Sequence, residues 1–336
     1  MSRYFPAGVA AAITITVDLV LLFGRVRSFP LLLVAAAGPP VTAFLLGRGA
    51  AGGAIRPGKL LGAALVGATL VPILVVTTHG AVAFAAWTLI DPLAGAATDL
   101  ADQLEVDRSI LAVFSNYWSL VFLVELAVLA PLSEEFFKPL TAFLFRARSR
   151  REAFLVGAAV GAGFAAIENM MYASGWWWSF ESWLPIAVLR SSGAALHLLG
   201  AGLVSVAIYE RRNRAGRSSV LRMFGLAGGA HALWNGSIAV VIILFTEREL
   251  IAGGLSGTSL SWGIALSVFL GALGVVMLGG MVIAGRWSAP DHSEGPLLSG
   301  LSFDRPAAVA GWAALACAML IPLAVMILVF PGYLAL

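Results

Sequence analysis

Within an otherwise apolar chain, a small set of ionisable and amide side chains falls at helical spacing. These are Glu134, Glu135 and Lys138 in EEFFK, Glu168 in FAAIEN, His197 in RSSGAALH, and His231 with Asn235 in HALWN. Two or three carboxylates and two imidazoles in a mostly dry pocket suit the activation of water. Burial makes a carboxylate a stronger base, and a histidine or asparagine donor stabilises an oxyanion. Peptide-bond hydrolysis is the natural target of such a set. The same groups also suit a divalent metal, since glutamate and histidine ligands with one open position resemble catalytic zinc sites. Glu134 and Lys138 stand four apart, so they share a helix face with the acid on the N-terminal side. His231 and Asn235 repeat that spacing.

The surrounding elements must be membrane helices. The chain has 336 residues, 60% of them hydrophobic and only 12% charged, with a strongly positive mean hydropathy, a composition foreign to soluble globular domains. The expected fold is an all-α polytopic transmembrane bundle. About 20 mostly apolar residues make a span, and nine stretches qualify: 7–24, 29–46, 60–90, 117–145, 153–174, 183–208, 220–245, 259–284 and 309–333. The first is read as a retained span. Pro72 and Pro131 are expected kink sites in the two long stretches, because each removes a backbone donor. Lone Cys317 excludes a disulfide framework and a cysteine metal cluster.

Arginine placement sets the expected orientation. Basic connections around Arg48, Arg56 and Lys59, around Arg146 to Arg151, and around Arg211 to Arg222 alternate with poor ones. These are read as cytoplasmic, which puts the N-terminus inside and the C-terminus outside. Segment 91–108 carries five acids against one arginine and belongs outside with the aromatic run 176–178; Arg25 and Arg27 are minor violations. Three regions follow: 1–114 with the acidic segment, a core at 115–245, and two further helices in 246–336. Nearly all of the 21 basic residues are arginine, a bias of GC-rich bacterial genomes, and the expected location is the bacterial cytoplasmic membrane.

A charge at mid-bilayer costs roughly 2.5–3.5 kcal/mol on insertion scales, so such residues face an interior and tend to be functional. Counting ~1.5 Å per residue from the nearest cytoplasmic charge, Glu134 lies ~18 Å deep, Glu168 ~24 Å, His197 ~20 Å and His231 ~14 Å. Four spans therefore bring polar groups to one layer. Gly157 and Gly161, at GxxxG spacing, give the Glu168 helix a smooth face for close approach by another helix. Other intramembrane polar residues have plainer readings. His79 is expected to hydrogen-bond between helices, Asp18 and Glu125 to be structural or cavity-lining, and Arg190 to snorkel outward. HExxH and an intramembrane Gly-Asp pair are absent, and Ser192 with His197 lacks the glycine loop of a rhomboid-type serine protease.

EEFFK, FAAIEN, His197 and HALWN, in this order on successive expected spans, resemble the motifs of the PrsW-type intramembrane proteases. These are relatives of the CAAX-processing and bacteriocin-processing membrane proteases. Phe164 followed by Glu168 is similar to the PrsW branch, the CAAX branch having histidine there. The resemblance covers roughly residues 115–245. It implies site-specific cleavage of a single-pass, membrane-anchored protein, an anti-sigma factor in the best-known case, with the lipid bilayer as setting and no nucleic acid involved. By position it implies that Glu134 with Glu168 activates water, that His231 and Asn235 bind the oxyanion or help hold a metal, and that His197 lines the site as ligand or donor. Glu135 with Lys138 would position the motif through an ion pair. The implied cofactor is zinc or another divalent ion on Glu134, Glu168, His197 and His231, against a metal-free glutamate mechanism in the related CAAX branch. Two other classes remain open at this point, a catalytically silent scaffold and an ion- or proton-coupled transporter, the latter without the repeat between halves that many transporters show.

Overall fold

The computed structural model describes residues 3–24, 29–52, 55–103, 124–175, 180–213, 220–251 and 257–289, and every regular element among them is helical. In chain order these are α1 (Phe5–Gly24), α2 (Phe29–Ala51), α3 (Pro57–Gln103), a π-helical turn (Glu125–Leu129), α4 (Ala130–Ala142), a 3-10 turn (Phe143–Phe145), α5 (Arg150–Gly175), α6 (Phe180–Asn213), α7 (Val220–Ile251) and α8 (Gly257–Ser288). Five segments among the described residues are long and apolar enough to cross a membrane: Leu33–Ala51, Pro57–Leu89, Arg150–Tyr172, Gly193–Asn213 and Val268–Ser288, with Phe5–Leu21 a shorter apolar helix. Of the nine expected spans, 309–333 lies outside the described residues. The stretch 117–145 is described only from residue 124, where it is broken into a π turn, a 13-residue helix and a 3-10 turn. Helix α3 runs through Pro72 without interruption and continues through Gln103, well past the expected end at residue 90. Its extension is rich in alanine and leucine, which favour helix even where charge has ended the apolar run.

Helix α5 is the hub, packing on α6, α3 and α2. Residues 153–165 of this helix are all buried. Hydrocarbon and side chain are equally apolar in a bilayer, so close backbone approach replaces the hydrophobic drive. The glycines show where that approach happens. A Cβ at Gly161 would strike the backbone of His197 and Leu198, one at Gly157 would strike Ala201 and Ser205, and one at Gly163 would strike Ala64 of α3. The GxxxG face thus sets α5 directly against the helix that carries His197.

Helix α4 is inverted relative to a helix of a soluble protein. Glu134, Glu135, Lys138 and Thr141 are buried, whereas Leu132, Phe136, Leu140 and Leu144 form an exposed stripe at four-residue spacing. An apolar stripe facing outward and a charged face turned inward is the arrangement a lipid solvent selects.

Prolines in these helices leave carbonyls without donors, and asparagines on neighbouring helices satisfy them. Pro40 inside α2 cannot donate to Ala36 four residues back, and Asn169 Nδ2 of α5 donates to the Ala36 carbonyl at 3.2 Å. In the π turn the Ala130 N–H bonds Glu125, five residues back. Pro131, next in register, has no N–H for Leu126, and Asn235 Nδ2 of α7 donates to that carbonyl at 3.1 Å. An unmet backbone group in hydrocarbon costs several kcal/mol, so each asparagine fixes one helix against another.

One end of the bundle gathers the basic connections. Lys59 pairs with Glu152 at 2.6 Å and donates to the Arg146 carbonyl at 3.1 Å. Arg150 pairs with Glu210, and Tyr209 donates to the Arg148 carbonyl at 3.1 Å. The polar layer lies away from this end, toward the bundle interior.

Candidate active site

Four helices deliver the polar layer. Glu134, Glu135 and Lys138 come from α4, Glu168 from α5, His197 from α6 and His231 from α7, and all six are buried. Lys138 has no exposed surface. Its ammonium donates to Glu135 Oε1 at 2.7 Å and to His197 Nδ1 at 2.8 Å, and lies 3.4 Å from Glu134 Oε2. The Phe164 ring stands beneath it with its centroid 4.6 Å away, an attraction that strengthens when the cation is desolvated. The two adjacent glutamates are therefore unequal: Glu135 is the tighter partner of the lysine.

These contacts fix both imidazole tautomers. An ammonium only donates, so His197 Nδ1 accepts and its proton sits on Nε2, which faces Glu168 Oε2 at 3.1 Å. Glu135 Oε1 also faces His231 Nδ1 at 3.0 Å. A carboxylate only accepts, so His231 Nδ1 carries a proton, and in the neutral imidazole Nε2 carries the lone pair. That buried Nε2 has no hydrogen-bond partner and lies 3.8 Å from Glu134 Oε2. The His197 and His231 rings meet edge to face, centroids 4.7 Å apart. Glu135 thus orients a lysine and a histidine at once, a carboxylate behind an imidazole in the manner seen around metal-binding histidines.

The donor set fits a divalent cation. Glu134, His197 and His231 each offer a ligand atom, all within 4.8 Å of one another. The His231 Nε2 lone pair, buried and unpartnered, faces this group. A carboxylate with two imidazoles is the ligand chemistry of catalytic zinc centres.

A cavity of about 410 Å³ opens onto the polar layer, with Glu134, Glu168 and Phe164 in its wall. Its remaining lining includes Pro72, Val76 and His79 of α3, Glu125 and Leu126 of the π turn, and Met171 and Tyr172 of α5. Val76, Met171 and Tyr172 are exposed, so the cavity reaches the outer surface between α3 and α5. Neither Glu135 nor Lys138 lines it. They form a layer behind the wall, while Glu134 and Glu168 stand at its surface. A second cavity of about 430 Å³ lies at the basic end and contains none of the candidate residues.

Asn235 lies apart from the carboxylate layer in its bonding, since its amide donates to Leu126 and holds the π turn that leads into α4. His79 joins α3 to α4 and the π turn, with Nε2 2.8 Å from Ser133 Oγ and Nδ1 3.0 Å from Glu125 Oε1. Asp18 lies on α1, remote in sequence from these contacts, and the side chains of Arg190 and Ser192 fall outside the described residues.

Gly200 is a site residue that motif reading passes over. A Cβ there would lie 2.5 Å from Glu135 Oε2 and 3.2 Å from Glu135 Cδ. Its signal is present in HLLG, since a glycine three residues after His197 lies on the same helix face. Gly200→Ala is expected to push the Glu135 carboxylate off Lys138 and His231. Displacements of that size cost up to about 100-fold in rate. The peptide-bond cleavage that the resemblance implies should fall by at least tenfold with the protein still assembled, and an undiminished rate in the Gly200→Ala protein would show that Glu135 placement is not limiting.

A family model described as PrsW family intramembrane metalloprotease matches residues 57–254, which takes in α3 through α7 and every residue of the polar layer. No curated protein and no solved structure matches the chain.

Proposed function

The chain belongs to the PrsW family of intramembrane metalloproteases, and from that premise we propose that it hydrolyses peptide bonds of single-pass membrane proteins, of the anti-sigma-factor kind, within a bacterial cytoplasmic membrane. Convergence of Glu134, Glu168, His197 and His231 from four helices beside a laterally open cavity carries this reading. A substrate segment enters between α3 and α5, past Val76 and Met171, without leaving the apolar phase. Water reaches the cavity wall between Glu134 and Glu168.

Glu134 is the base. It takes a proton from water attacking the scissile carbonyl and returns it to the leaving amine. Glu168 Oε2 faces the Nε2–H of His197 at 3.1 Å and attracts it, and Glu135 holds the Nδ1–H of His231, which turns Nε2 of the neutral ring toward the reacting centre. A divalent ion such as zinc, held by Glu134, His197 and His231, would supply a water of lowered pKa and polarise the carbonyl. Exclusion of bulk water strengthens each of these interactions. The test is cleavage of single-pass reporter segments by purified protein in proteoliposomes, with and without added divalent ions. Cleavage inside the membrane segment is expected, with the His231→Ala protein at background. A wild-type protein that cuts nothing under any metal condition would leave a non-catalytic scaffold of the same fold.

A further inference from the structure

The Lys138 ammonium contacts two of the three residues that could hold a metal, Glu134 and His197. We infer that the Lys138 ammonium and a divalent cation are alternative occupants of the Glu134, His197 and His231 ligand field, so that metal enters only as the lysine withdraws. His197 makes the exclusion chemical as well as spatial. Its Nδ1 has one lone pair in the ring plane, and Lys138 uses it at 2.8 Å. A metal on Nδ1 takes that lone pair. A metal on Nε2 displaces the proton facing Glu168 and moves it to Nδ1, which then meets the ammonium donor to donor. Either way the bond between Lys138 and His197 is lost.

Distance gives the same answer. Glu134 Oε2 and His197 Nδ1 are 3.7 Å apart, and Lys138 Nζ lies 3.4 Å and 2.8 Å from them. Any cation about 2.1 Å from both atoms therefore lies within about 3.5 Å of Nζ. Two cations that close, both out of water, repel strongly. Lys138 retains a place to go, because Glu135 Oε1 holds it at 2.7 Å independently of Glu134 and His197. The lysine is thus an internal stand-in for the metal, keeping one positive charge between Glu134 and Glu135 until an ion replaces it.

This inference rests on the reading of Glu134, His197 and His231 as the water-activating set, but its test reads metal binding and not cleavage, so the two can fail separately. Full-length protein in detergent is titrated with Zn2+ by calorimetry, using His231→Ala to subtract binding elsewhere. Lys138→Met is expected to bind Zn2+ at least tenfold more tightly than wild type. A second measurement does not depend on that variant folding. Lys59 and Lys138 are the only lysines in the chain, so a Lys59→Arg protein labelled with 15N-lysine gives one ammonium resonance. Saturating Zn2+ should shift or abolish it. Equal Zn2+ affinity in wild type and Lys138→Met, an unchanged Lys138 resonance at saturation, or no binding above the His231→Ala background in either protein would each overturn the inference.

Discussion

Glu134→Gln is expected to reduce cleavage by about 10²–10⁴-fold, the range for loss of a positioned general base, while leaving the protein assembled. Glutamine keeps the volume of the side chain, and Lys138 retains its two shorter contacts, to Glu135 and His197. The lysine therefore keeps its closest partners although one of the two cavity-facing carboxylates is gone. Initial rates on a reporter segment in proteoliposomes, together with thermal unfolding in detergent, separate the two effects. More than a tenth of wild-type activity in this variant would remove Glu134 as the base.

The neighbouring residue should behave in the opposite way. Glu135→Ala leaves a fully buried lysine without its closest anion and the His231 Nδ1–H without an acceptor. Breaking a buried pair by removing one partner costs about 3–5 kcal/mol, a large part of the total stability of an ordinary domain. The variant is expected to show low yield and a strongly reduced unfolding temperature before any question of catalysis arises. Adding Lys138→Met removes the orphaned charge and should recover part of that loss, a coupling that a double-mutant cycle measures. A Glu135→Ala protein of normal stability that has lost only turnover would exchange the roles of the two glutamates.

Much of this was legible in the residues themselves. A chain whose hydrophobic residues fall in runs of about 20 crosses a bilayer as helices, and charges within apolar runs are costly enough to mark a site. The EEFFK, FAAIEN and HALWN spacings place their polar residues on single helix faces, and the PrsW-type resemblance rests on those same residues. Helix ends were less legible, because apolar runs report where lipid solvates the chain and not where hydrogen bonding stops. Helix α3 therefore runs to Gln103 beyond its apolar part, and the stretch around Pro131 is divided by a π turn.

By itself the sequence determined the solvent of this protein, its all-helical class and the short set of side chains able to do chemistry there, because burial cost and helical period are local properties of residue types. Only the tertiary structure decided how that set is divided. Glu134 and Glu135 are chemically identical neighbours, and rotation of α4 against α6 and α7 puts one at the cavity wall and the other against Lys138 and His231. Asn235 is assigned to the Leu126 carbonyl because Pro131 vacates that acceptor on a different helix. Gly200 matters because Glu135 reaches it from across the bundle. Each of these depends on distances between helices far apart in the chain, and spacing within one helix gives at most a face, as for Gly200 three residues after His197.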